Sequence, residues 1–238
     1  MLGPESLRSF LRRRFSRVEV VGLYFTAGVL VCIVLAVAFG ILADEVFEVH
    51  VKTNPMDQLA GAFLGGIRSP GLTGIMRTVT QLGDWRFLSL ATPVVGLALW
   101  WAGHRISALL FAGSVVGGFL VSSALKLAFA RARPDPLAAI VTAKTYSFPS
   151  GHATMAAVFF GGLVAVAFHL SRRLSVRISA LFSGIVFVVT VAVSRVYLGA
   201  HWASDTAAGI LVGLFWVVVY ASGTEYFSRR RRHRAAPR

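Results

Sequence analysis

Acidic residues are scarce in this 238-residue chain, with ten Asp and Glu against twenty-four Lys and Arg, and charged residues of both signs make up only 14% of it. A soluble domain carries about 25%, so the shortage excludes an ordinary water-soluble globule. Cysteine is nearly missing too. The single thiol, Cys32, lies within an apolar run; alone it excludes an internal disulfide and says nothing of redox compartment. No internal repeat is visible, which excludes a solenoid or repeat array. What the chain does have is apolar: 56% of residues are hydrophobic and the mean hydropathy is +0.70. Apolar runs recur along its whole length, so an N-terminal signal peptide does not account for them. The composition indicates an all-α polytopic membrane protein built as one bundle. A net charge of +14 would suit nucleic acid, but most arginines sit in short clusters flanking apolar runs, where topology explains them. Nucleic acid is therefore excluded as a partner, and the bilayer takes its place.

Crossing the hydrocarbon core takes about 17–25 apolar residues. Uncharged stretches of that size run from Val20 to Ala43, Phe87 to Gly103, Ile106 to Leu125, Ala153 to Ser171, Ile178 to Ser194 and Thr206 to Thr224. Six transmembrane helices are expected, the second and fifth being short. With the N-terminus inside, the inner segments hold Arg8, Arg12, Arg13, Arg14, Arg17, Arg105, Arg172, Arg173, Arg177, Arg229 to Arg232, Arg234 and Arg238, fifteen of the twenty-four basic residues. The positive-inside rule then places both termini in the cytoplasm. The chain divides into a basic cytoplasmic tail (1–19), a six-span region (20–224) and a second basic cytoplasmic tail (225–238), expected to be disordered and to touch anionic lipid.

Between spans one and two lies an outer segment, 44–86, that is not a span. Met56, Leu59, Ala60, Phe63, Leu64 and Ile67 repeat at helical spacing, as do Leu72, Ile75, Met76, Val79 and Leu82, with Ser69-Pro70-Gly71 between them. Two helices are expected there, either packed on the bundle as connectors or lying at the interface as a lid bordering lipid entry.

Three charged clusters fall at one depth. Lys126 to Asp135 follows the third span, Phe148 to His152 precedes the fourth, and Ser194 to Asp205 lies between the fifth and sixth. Topology puts all three at the outer face. Lys126, Arg133 and Arg195 would surround one point with positive charge, arginine gripping phosphate oxygens in pairs and lysine adding a point charge. Ser150 reads as a helix N-cap, Gly151 allows close backbone approach, and the free N–H groups there would face an anion. His201 and Asp205 are four apart and share a face if a helix starts near His201. Asp205 would fix the ring tautomer and leave the other nitrogen free to attack phosphorus. His152 would protonate a leaving oxygen. Arg131 would add a contact to a second phosphate. His104 and His169 read as interfacial residues, and His50 and Lys144 as loop residues. His152, His201 and Asp205 also satisfy a two-histidine, one-carboxylate metal pattern, but three nearby cations argue against a bound metal, and no cofactor is expected.

Lys126, six residues, Arg133-Pro134; then Pro149-Ser150-Gly151-His152; then Ser194-Arg195, five residues, His201, three residues, Asp205: this three-part pattern resembles the signature of the type 2 phosphatidic acid phosphatase superfamily, with no departure at any signature position. The architectural resemblance covers roughly Val20 to Thr224. It implies a metal-independent phosphatase of membrane lipid phosphates in which His201 forms a phosphohistidine, Asp205 orients it, and His152 protonates the leaving group and later activates water. Lys126, Arg133, Ser150, Gly151 and Arg195 would bind the phosphate. The expected protein is an integral plasma (inner) membrane phosphatase with an extracytoplasmic site, acting on phosphatidate, phosphatidylglycerol phosphate or undecaprenyl diphosphate. Two alternatives are a lipid phosphotransferase with the same site and a non-catalytic lipid transporter or flippase. The oligomeric state is not legible.

Overall fold

The computed structural model describes residues 17–48, 54–134, 139–141 and 145–235. His50 and Lys144 lie outside these residues, as does most of the N-terminal tail. Among the described residues eight α-helices follow one another: α1 (Arg17–Glu48), α2 (Pro55–Gly66), α3 (Pro70–Thr80), α4 (Trp85–Trp101), α5 (Arg105–Phe129), α6 (Gly151–Leu170), α7 (Leu174–Tyr197) and α8 (Ala203–Ala235). No strand occurs among the described residues. Among the described residues five segments are long and apolar enough to cross a membrane: Thr26–Val46 in α1, all of α5, α6 and α7, and Ala203–Tyr226 in α8. The sequence leads one to expect six. The remaining candidate, α4, has 17 residues with Pro93 inside, so at 1.5 Å per residue it is only about 25 Å long.

Local chemistry sets the helix starts. Asn54 caps α2 and Ser69 caps α3, each followed by proline at the first helical position, and Asp84 caps α4 through the Arg86 N–H at 2.8 Å. Proline costs nothing there because that N–H has no helical partner. Asp84 pulls the start of α4 to Trp85, two residues before the apolar run begins. At the other end of the chain α8 continues through Ala235, where a disordered tail was expected; arginine is a good helix former, and the span has already nucleated the helix.

The bundle is organised around α6, which packs against α5, α7 and α8, while α1 lies mainly against α8, with its Phe39 ring also meeting Phe129 of α5. Phe111 and Val115 of α5, Val158 and Phe159 of α6 and Tyr220 of α8 form its apolar centre with Leu88 of α4. Leu30, Val34, Val37 and Ile41 of α1 remain exposed, as suits a surface solvated by lipid. Helices α6 and α8 come very close. A Cβ on Gly209 would lie 2.6 Å from the Ser150 carbonyl oxygen, and one on Gly213 only 2.4 Å from the Ala157 Cβ. Two small residues one turn apart thus let the backbones approach as lipid-embedded helices require.

The two helices anticipated between Asn54 and Asp84 are present as α2 and α3. Both pack on α7, and α2 also touches α8. They are tied down by polar bonds: the Arg68 Nε donates to the Tyr197 carbonyl at 2.9 Å, and the buried Tyr197 hydroxyl meets the Ser69 N–H at 3.1 Å and Thr73 Oγ1 at 3.0 Å. The pair is a fixed platform on the ends of α7 and α8.

Candidate active site

The end of α5 and the starts of α6 and α8 meet the end of α7 at one end of the bundle. The α7 terminus closes with a Schellman turn: Gly199 at φ 71° donates to the Val196 carbonyl, and Ala200 reaches back to Arg195 at 3.0 Å. Glycine is needed because the left-handed conformation costs other residues about 1–2 kcal/mol. The turn throws His201 back over the helix, and its N–H also points at the Arg195 carbonyl, 3.3 Å away. Helix α8 starts only at Ala203, so His201 precedes it and does not stand on it. Asp205 lies in the first turn and accepts from the Trp202 N–H at 2.9 Å, a carboxylate reaching back to the N-cap as in a capping box.

His201 is 3% exposed and Asp205 is fully buried. Their Nδ1 and Oδ2 atoms are 3.4 Å apart. The carboxylate assigns the Nδ1–H tautomer and turns Nε2 outward, toward Arg133 Nη1 at 3.2 Å. Burial lowers the His201 pKa to about 3 against the opposing pull of Asp205. The ring is therefore neutral at physiological pH, as a nucleophile must be.

Arg133 arches over the site, donating to the Thr145 carbonyl at 2.7 Å and to the Ala200 carbonyl; burial lowers its pKa as well. Lys126 Nζ donates to the Tyr146 carbonyl at 2.8 Å, and its Cε lies 3.6 Å from where a Cβ on Gly151 would be. Arg195 is 5% exposed and donates to Thr80 Oγ1 at 2.9 Å. His152, in the first turn of α6, is within electrostatic reach of Arg195, His201, Lys126 and Arg133. All eight expected site residues thus converge.

Three buried polar atoms in this cluster have no partner: Ser150 Oγ, Arg195 Nε and Ser122 Oγ, the last 3.8 Å from where a Cβ on Gly151 would be. Ser150 holds the N-cap position but its hydroxyl caps nothing; the hydroxyl of Thr154 bonds the Ser150 carbonyl instead. Leaving a buried donor unmade is costly. Three cations and three idle donors gathered at one end of the bundle fit a phosphate group.

The PAP2 superfamily model matches residues 107–229, over half of the chain. The chain belongs to the PAP2 superfamily. Among relatives, phosphatidylglycerophosphatase B of Bacillus subtilis (strain 168) is 29% identical over 170 residues, 69% of this chain and 81% of that protein. The crystal structure of the transmembrane PAP2-type phosphatidylglycerolphosphate phosphatase from Bacillus subtilis superposes with a TM-score of 0.71 at 28% identity, covering 84% of this chain and 96% of that one. LpxE of Aquifex aeolicus shares the fold, with a TM-score of 0.57 at 17% identity over 71% of this chain and 97% of that one.

This PAP2 protein departs from the sequence expectations at Arg131. Instead of facing a second phosphate, its guanidinium is taken up by Asp205 Oδ1 at 2.5 Å, Asp57 Oδ2 at 2.9 Å and Ser204 Oγ at 2.8 Å. The reason is Asp57, brought in by α2, which no nearby spacing reveals. Five further contacts, made by four residues, escaped sequence reasoning. The Ser147 hydroxyl donates to Asp205 Oδ2 and lies 3.4 Å from His201 Nδ1. Ser204 bonds Asp57, Thr80 holds Arg195, and Asp84 Oδ2 lies 3.5 Å from His152 Nε2. One signal was available: with ten acidic residues in the chain, carboxylates such as Asp57 and Asp84 in a membrane protein mark functional or paired positions. Among the described residues no group of three or more His, Cys, Asp or Glu side chains is arranged to hold a metal ion.

Proposed function

We propose that this PAP2 protein is an integral membrane lipid phosphatase that works through a phosphohistidine. Lys126, Arg133, Arg195, Ser150 and the α6 terminus at Gly151 hold the phosphate. His201 Nε2 attacks phosphorus; the N–P bond forms as the bond to the lipid oxygen breaks, and His152 gives that oxygen its proton. In the second half, His152 takes a proton from water, the water oxygen attacks phosphorus, and the N–P bond breaks to release inorganic phosphate. Asp205 orients His201 and offsets the charge that develops on it. The observation that carries this reading is the buried His201 imidazole, held by the Asp205 carboxylate and opening on three cations and the unpartnered donors beside them.

In the proposed membrane placement, α4 serves as the second of six spans, both termini are cytoplasmic, and α2, α3 and the site lie at the extracytoplasmic face of the plasma membrane. The likeness to phosphatidylglycerophosphatase B makes phosphatidylglycerol phosphate the first substrate to try, with phosphatidate and undecaprenyl diphosphate beside it. The test is phosphate release by the purified full chain in detergent with EDTA present. Release that persists in EDTA is expected. No release from any of the three lipids would overturn the hydrolase reading, and loss of activity to EDTA would overturn its independence of metal.

A further inference from the structure

Asp57 is a charged group with no evident reason to be buried. It stands in the first turn of α2, a helix outside the motif set, and is 1% exposed. Burying a carboxylate costs several kcal/mol unless charge and hydrogen bonds offset it, and here every partner belongs to the nucleophile's surroundings. Asp57 Oδ1 accepts from the Ser204 N–H at 2.8 Å. Its Oδ2 accepts from the Ser204 hydroxyl at 2.6 Å and from Arg131 Nη2 at 2.9 Å. Ser204 immediately precedes Asp205, and the other arm of Arg131 holds Asp205 Oδ1 at 2.5 Å. The planar guanidinium is therefore a rigid bridge between two carboxylates, a role that a lysine ammonium does not fill. Its face also lies over the Trp202 ring, 5.7 Å from the centroid.

We propose that Asp57 is a positioning residue for the nucleophile: through Arg131 and Ser204 it fixes the Asp205 carboxylate so that Oδ2 alone faces His201 and Nε2 stays aimed at phosphorus. The charges support this arrangement. Arg131 alone would neutralise Asp205 and compete with His201 for it. With Asp57 sharing the guanidinium, the trio keeps one net negative charge, which faces the imidazole as it becomes cationic on phosphorylation. Asp57 touches neither His201 nor the phosphate clamp, so it acts on attack and not on capture of the phosphate.

This inference rests on the phosphohistidine reading, and two anions separate it from a general loosening of the fold. Inorganic phosphate needs only the clamp. Orthovanadate also takes a bond from the attacking nitrogen, because vanadium accepts the five-coordinate geometry of in-line displacement. Binding of both is measured on the purified full chain, parent and Asp57→Asn. Vanadate affinity is expected to fall about tenfold or more, and phosphate affinity by less than about threefold, the size of a lost charge-assisted hydrogen bond in one case only. Should Asp57→Asn fail to fold, the pair Asp57→Asn with Arg131→Gln removes both charges together and carries the same expectation. An equal change in both affinities, or none for vanadate, overturns the proposal. Phosphate release from lipid by the parent protein is measured separately, so failure of the phosphatase reading appears there and not in the variants.

Discussion

The two sides of the candidate site are built differently. On one side His201 is fully enclosed, and its carboxylate accepts from Ser147, Trp202 and Arg131. On the other, His152 has a side chain 24% exposed and a single carboxylate contact, Asp84 at 3.5 Å. Both histidines have an acidic neighbour, yet one is locked and the other is loosely held. The difference matches the roles proposed for the two rings. A nucleophile gains from a fixed trajectory, since misplacement by an ångström costs about a hundredfold. A group that gives up a proton and takes one back from water needs access to water and a partner that tolerates both charge states.

The widest gap between the two sides should come from removing the rings. His201→Ala is expected to abolish lipid hydrolysis, with loss of about a thousandfold or more, because no other group can form the covalent intermediate; activity surviving in this variant would show that the enclosed side is not the nucleophile. His152→Ala is expected to lose about a hundred- to ten-thousandfold on a lipid phosphate, the usual share of a general acid. On p-nitrophenyl phosphate, whose leaving group departs unprotonated, the same variant should lose far less. An equal loss on both substrates would erase the distinction in roles. Asp84→Asn should cost only about tenfold in kcat, as one charge-assisted contact is worth some 1.5 kcal/mol, whereas Asp205→Asn should cost much more. Comparable losses would mean that the two carboxylates do the same job.

The smallest effect concerns stability. The His201 pKa falls from 6.5 to about 3 on folding. As pH drops through 6.5 the unfolded chain takes up a proton that the folded one refuses, so stability declines from about pH 6.5 down to about pH 3 and levels off below. Thermal unfolding in detergent should show a shallower fall over that window for His201→Gln than for the parent. Parallel curves would mean that the enclosed side is more open to water than its packing indicates.

How much of this was legible beforehand follows the range of each contact. Hydropathy and charge gave the helices because each span is a local statement about twenty residues. Lys126, Arg133, His152, Arg195, His201 and Asp205 were legible because lone charges beside apolar runs are costly and topology brought them to one face. The second and fifth apolar stretches were both expected to be short; α4 is short at 17 residues, whereas α7 runs for 24 because its helix takes in polar residues on either side of the uncharged run. Asp57, Thr80 and Asp84 were not recognised, since each meets its partner across a large gap in sequence: Asp57 reaches Ser204, and Thr80 reaches Arg195, 115 positions away. Periodicity found the helices carrying them but not the side they turn to the bundle. Arg131 was misjudged for the same reason, its partner lying in α2.

The groups proposed to hold phosphate all sit at one end of the bundle. In the proposed placement the enzyme handles the lipids of one monolayer only. Dephosphorylation then changes headgroup charge on one side of the membrane and leaves the opposite side untouched. Running the reaction builds a difference in composition between the two leaflets, which only movement of lipid across the bilayer can dissipate.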